Sequence, residues 1–162
     1  MGLSILTATV AGSPLLSSAA NESHRPVSYP QGYRSWNHMK TLAIVAESHP
    51  LFDSFGGIHH VYVNRTGMAA AHTGKPYPDG SVIVFDLLAA DSKDGAVSEG
   101  SRKFIGVMRK DRKAYAATGG WGFEGFKGDS PTDRMVTDAA KQCFGCHQSR
   151  ATNDFVFSEY RP

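Results

Sequence analysis

Hydrophobic positions along the chain come in short runs broken by glycine, proline and charge, the pattern of strands separated by turns. Gly57 to Val63 (Gly-Ile-His-His-Val-Tyr-Val) and Ser81 to Leu88 (Ser-Val-Ile-Val-Phe-Asp-Leu-Leu) are β-branched and aromatic, each flanked by glycine or a turn signal, and both are expected as strands. Pro76-Tyr77-Pro78-Asp79-Gly80 predicts a turn before the second, and the alanine-rich stretch Met68 to His72 a short helix between the two. Lys103 to Met108 and Ala114 to Thr118 predict two further strands, with Arg109-Lys110-Asp111-Arg112 as a polar hairpin tip. Gly119 to Phe126 alternates glycine with Trp121, Phe123 and Phe126, which suits a bulged strand or a loop passing close to a flat ligand. From Pro131 the period becomes helical: Ser130 or Thr132 can cap, and Met135, Val136, Ala139 and Ala140 recur at helical spacing up to Cys143.

The N-terminus reads differently. Leu3 to Ala20 carries no charge, is mostly apolar or small, and ends in Ser18-Ala19-Ala20, small side chains of the kind a signal peptidase accepts. Residues 1–20 are therefore expected to be an export signal, although Met1-Gly2 lacks the usual positive charge. Ser4, Thr7, Thr9, Ser13 and Pro14 interrupt the run, whereas a membrane anchor needs about 20 mainly apolar residues. Residues 21–32, polar and proline-bearing, read as an irregular lead-in, and the folded domain is expected over 33–162. A chain of 162 residues has the size of one domain. Its 17 basic and 15 acidic side chains are scattered, so no nucleic-acid or anionic-membrane partner is indicated.

Chemistry enters at Cys143-Phe144-Gly145-Cys146-His147, the C-x-x-C-H spacing of c-type haem attachment. Two thiols add to the haem vinyl groups, and the adjacent imidazole then falls under the iron. The chain has two cysteines, both in this motif. A structural zinc site needs four Cys or His ligands, and no second pair accompanies this one. A thioredoxin-like redox pair belongs after the first strand of an α/β unit, not near the end of a chain. A plain disulfide in an exported protein is the third alternative. Haem c, one per chain, attached through Cys143 and Cys146 with His147 as iron ligand, accounts best for the spacing, and it agrees with export to the periplasm, where such attachment takes place.

No methionine follows His147, and Met39, Met68, Met108 and Met135 read as packing, so a methionine sixth ligand is not evident. The strands between Gly57 and Thr118 exclude a four-helix cytochrome. The C-terminal haem motif, Tyr33-Arg34-Ser35-Trp36, Val61-Tyr62-Val63 and the Asp79 to Val84 segment together resemble the cytochrome P460 family, from about Tyr33 to the end. That resemblance implies an α+β fold, a predominantly antiparallel β-sheet with flanking helices and a C-terminal haem-bearing helix, holding a five-coordinate haem; it also implies a homodimer. The family includes hydroxylamine-oxidising enzymes, in which a lysine after the Val-x-Val strand is cross-linked to haem, and the gas-binding cytochromes c′-β. Here that position is Phe85, and an arginine of the enzymes falls on His59. The chain therefore resembles the cytochrome c′-β branch more than the enzymes.

An aromatic cap over the open axial face offers no hydrogen bond to bound dioxygen, whose partly anionic complex needs one, whereas nitric oxide needs it far less. The expectation is reversible binding of NO, with CO as a second candidate, under Phe85. Alternatives are hydroxylamine or NO oxidation, peroxidase chemistry at an open ferric site, and simple electron transfer to a redox partner protein. On a strand His59 and His60 face opposite ways, so at most one points at the haem, and the resemblance selects His59. Phe52 and Phe55 are candidates for a second aromatic over the haem, Trp121, Phe123 and Phe126 for a wall beside it, and Glu124 and Arg134 for polar neighbours of the pocket or the propionates.

Overall fold

Residues 26–161 are described by the computed structural model, so the expected export signal and the first part of the lead-in lie outside the described residues. Five strands follow one another in chain order: β1 (Asn37–Ile44), β2 (Gly57–Val63), β3 (Val82–Lys93), β4 (Ala96–Lys110) and β5 (Trp121–Lys127). Each pairs antiparallel with the next, giving a β1-β2-β3-β4-β5 meander with β3 at its centre. A short helix α1 (Phe52–Phe55) precedes β2, and α2 (Arg65–Thr73) links β2 to β3. Near its C-terminus the chain forms a helical stretch, kinked at Arg150: a π-helical turn Ala140–Phe144, α3 (Gly145–His147) and a 3-10 segment Gln148–Asn153. This is the expected α+β arrangement with a predominantly antiparallel sheet.

Alternation along the strands sorts the core onto two faces. One face carries Val61, Val63, Ile83, Met108, Trp121 and Phe123, and against it pack Ala70 of α2, Phe144 of the C-terminal stretch and Val156. The other carries Tyr62, Val84, Ile105, Val107 and Phe126, covered by Val27, Tyr33 and Tyr115. Val27 is 1% exposed, so the packed region starts inside the expected lead-in rather than at Tyr33. On this second face Asp86, fully buried, accepts from Tyr33 Oη at 2.8 Å and Arg102 Nε at 2.7 Å, with Arg34 at 3.6 Å. A carboxylate so placed is tolerated only because it is paired and hydrogen-bonded.

Several elements differ from those the sequence suggests. β1 goes unread in the sequence because only Met39 and Ile44 of its residues are buried and a bulge at Met39 breaks its alternation. The hairpin tip is not Arg109 to Arg112. It is Asp94-Gly95 between β3 and β4, where both residues have positive φ (52° and 80°), as a two-residue hairpin turn requires. The flanking Asp91, Ser92, Lys93, Ser98 and Glu99 are exposed and polar, so no apolar alternation marks this end of the hairpin. Ala116–Thr118 is a 3-10 turn, not a strand, and the glycine-aromatic segment is the strand β5. The expected helix from Pro131 begins only at the end of that stretch. Ser130 Oγ accepts from the Thr132 and Asp133 amides in a local turn, and the chain then runs along the outer edge of β5, Met135 N–H donating to the Gly125 carbonyl at 2.9 Å.

Removing the buried carboxylate on the second face leaves Arg102 without its main partner. Asp86→Ala is expected to cost about 3 kcal/mol in urea unfolding, while the packing of the other face, read by near-UV circular dichroism of Trp121, stays as in the parent.

Candidate haem site

The C-x-x-C-H residues lie within one helical stretch, where positions three and four apart share a face. Cys143, Cys146 and His147 thus project together, while Phe144 turns inward and is buried against Phe123 and Phe155, at ring distances of 6.3 and 5.2 Å. That anchor seats the motif on the first face of the sheet. Cys143 is half-buried and Cys146 exposed, and both are free. Burial, with Glu124 and Cys146 adding to it, pushes the Cys143 thiol up to about 11, the reverse of the depressed value that a redox-active cysteine needs. Among the described residues no group of three His, Cys, Asp or Glu side chains is placed to hold a metal ion by itself.

His147 sits half-buried between Phe123 and Phe157, with both ring centroids 4.9 Å away. Its Nδ1 lies 2.7 Å from the Phe155 carbonyl. A carbonyl only accepts, so Nδ1 carries the proton and Nε2 keeps its lone pair. Burial holds this imidazole below its ordinary pKa, against the opposing effect of the Phe155 bond, so the ring is neutral at neutral pH. A neutral imidazole with one nitrogen fixed on a carbonyl and the other free is the form that ligates iron. The Phe155 carbonyl is aimed by two consecutive left-handed residues, Asp154 and Phe155 (φ 49° and 64°). Such a pair is strained by roughly 1–3 kcal/mol per residue and persists only where surroundings impose it.

Two strands from the Phe123 that His147 packs against, on the same face, lies Phe85. It is only partly buried although its neighbours Val84 and Asp86 on the central strand are buried. Gly106 stands opposite it on β4, and Phe104 and Phe55 border it at ring distances of 5.8 and 6.0 Å. His59 packs its ring 4.8 Å from Phe85, and its Nε2–H donates to the Phe55 carbonyl. His59 is buried, and burial lowers its pKa, with Lys103 and His60 adding to the effect against the Phe55 bond. His60 faces the other way, bonded to Glu99 and Thr41, so the expected opposition of the two histidines holds.

These features fit a haem. Cys143, Cys146 and His147 share one face of the helical stretch by their spacing, and the middle of the sheet presents an incompletely covered apolar area built of Phe85, Phe104 and Gly106. A fully folded sheet centre is normally closed, so an open aromatic area there is where a flat apolar ligand would be buried.

The comparison with known families agrees: the Cytochrome P460 model matches residues 30–158. The chain belongs to the cytochrome P460 family. No curated protein matches it. As a cytochrome P460 protein it uses haem, whose iron would supply ligand binding or redox chemistry when bound. The family match adds the cofactor to the geometry, and the residues that would hold the haem are Cys143, Cys146 and His147, with Phe85 and His59 facing the same area.

Other expected neighbours sort differently. Trp121 and Phe123 belong to the site face, but Phe126 packs in the opposite cluster, because β5 alternates. Glu124 is buried and spends its carboxylate on Arg134 and on the Gly125 and Val136 amides, tying the following segment to the edge of β5. Phe55 reaches Phe85, whereas no ring contact joins Phe52 to it. Sequence reading missed the Phe155 carbonyl altogether, since a main-chain acceptor leaves no residue-type signal.

Gly119 has φ 65°, and a Cβ there would lie 2.5 Å from the Phe155 ring. Gly119→Ala is therefore expected to displace Phe155 and lower stability by about 2 kcal/mol. Thermal unfolding of the haem-loaded protein reads it, together with broadening of the haem Soret band.

Proposed function

We propose that this protein is an exported mono-haem c-type cytochrome of the cytochrome c′-β kind, which binds NO reversibly at a five-coordinate iron. The observation that carries this reading is Phe85, a phenyl ring at the open centre of the site face, where the hydroxylamine-oxidising relatives resembled by the sequence place a cross-linking lysine. Around it Phe55 and Phe104 add two more rings. His59, whose ring packs against Phe85, has its Nε2–H engaged by the Phe55 carbonyl and does not offer it to a bound gas. Such a pocket gives a partly anionic dioxygen complex no donor, and it favours NO. CO, which likewise needs no donor, is the second ligand of this class.

Cys143 and Cys146 form the two thioether bonds, His147 is the axial ligand through Nε2, and Phe85 is the cap. Replacing both cysteines with serine is expected to leave haem extractable by acidic solvent. Intact-mass measurement of the parent should show one haem per chain, and a parent mass without haem sinks the covalent assignment.

Optical and EPR spectra of ferric and ferrous protein, before and after NO, test the function itself. High-spin five-coordinate haem that takes NO readily supports gas binding. A low-spin six-coordinate spectrum means electron transfer, and a red-shifted cross-link band means enzymatic oxidation of the hydroxylamine type. Phe85→Ala should raise the NO association rate by roughly tenfold or more, equal to about 1.4 kcal/mol of barrier, and an unchanged rate removes Phe85 from the site.

A further inference from the structure

Lys110 and Asp154 make a buried ion pair that haem binding by the motif does not by itself require. Lys110 ends β4 with 3% exposure, although it lies in a run of charged residues that reads as a polar tip. Its ammonium donates to Asp154 Oδ1 at 2.6 Å and to the Gly119 carbonyl at 3.2 Å, and lies 4.8 Å over the Trp121 ring. An ammonium withdrawn from water is stable only with partners this complete, and losing one strands the other.

Asp154 is engaged at every acceptor it has. Oδ1 takes Lys110, Oδ2 takes the Tyr77 amide at 2.8 Å, and its carbonyl takes the Trp121 indole N–H at 2.8 Å. Three separate parts of the chain thus clamp one residue in the left-handed conformation. The next residue, Phe155, is left-handed too, with its amide on the Arg150 carbonyl at 2.8 Å and its own carbonyl on His147 Nδ1. Where that carbonyl points is set by these two strained residues, and the clamp on the first of them is the ion pair.

We propose that Lys110 and Asp154 are positioning residues for the axial ligand, locking the Asp154-Phe155 turn so that its carbonyl holds the His147 ring in one tautomer and one orientation. The inference rests on His147 being that ligand. A carbonyl bonded to Nδ1–H raises the basicity of Nε2 and stiffens the bond to iron. Loosening the clamp weakens that bond and moves the reduction potential upward, since the oxidised iron gains most from a basic ligand.

Resonance Raman of the ferrous haem protein reads the iron–histidine stretch directly, and a core that is merely less stable would not move it. Asp154→Gly keeps the left-handed backbone and removes the carboxylate. Asp154→Asn keeps the acceptor for Tyr77 and also suits that backbone, but it removes the charge. The band is expected to shift to lower frequency in Asp154→Gly, with a smaller shift in Asp154→Asn and a rise in potential following the same order. Should Asp154→Gly not fold, Lys110→Met and Asp154→Asn decide by the same band. Unchanged band and potential in the folded variants overturn the positioning role. A His147→Ala protein that retains an iron–histidine band overturns instead the ligand assignment beneath it, so the two failures are told apart.

Discussion

The hydrogen bond from His147 Nδ1 to the Phe155 carbonyl ties together parts of the chain that otherwise have no reason to meet. A C-x-x-C-H motif is short and sits on a helical stretch of few residues, too little to hold its own orientation. Orientation comes from packing. Phe144 is driven into the sheet face beside Phe123, and Phe155 closes over it from the other side. The chain must then reverse sharply after Asn153 to bring Phe155 back, and the left-handed pair at Asp154 and Phe155 makes that reversal. Strain in the backbone is offset by buried contacts, and the result is an imidazole with a defined free nitrogen.

One sheet serves two faces with different tasks. The second face is closed: aromatic and aliphatic side chains meet the N-terminal segment, and Asp86 is locked by Tyr33 and Arg102. The first face is closed at its β5 side, under the haem motif, and open at its centre around Phe85 and Gly106. Apolar area left open at a sheet centre weakens the protein by itself, because its burial would contribute about 25 cal/mol per Å². A haem laid there would recover that contribution, so binding the cofactor would also complete the core.

Within the site, side-chain chemistry and main-chain chemistry divide the work. In the proposed site, cysteine, histidine and phenylalanine side chains would meet the haem, and a carbonyl, a salt bridge and a turn would set the orientation of His147. His59 illustrates the difference, because it lies on the expected face beside Phe85, yet its hydrogen bond to Phe55 makes it a brace for an aromatic neighbour.

The sequence by itself determined the C-x-x-C-H spacing, the position of Phe85 on a strand, the extent of β2 and the α+β class, because these rest on local spacing and on apolar alternation that a single element displays. It did not determine β1, the Asp94-Gly95 hairpin or the late start of the C-terminal helical stretch, where exposure on both faces, a bulge or edge pairing erases the periodic signal. Only tertiary structure decided that Lys110 is buried, that Glu124 ties down the edge of β5, and that a carbonyl from Phe155 orients His147. Those outcomes depend on residues distant in the chain arriving at one point, and a charge or a peptide carbonyl looks the same in sequence whether it ends in water or in the core.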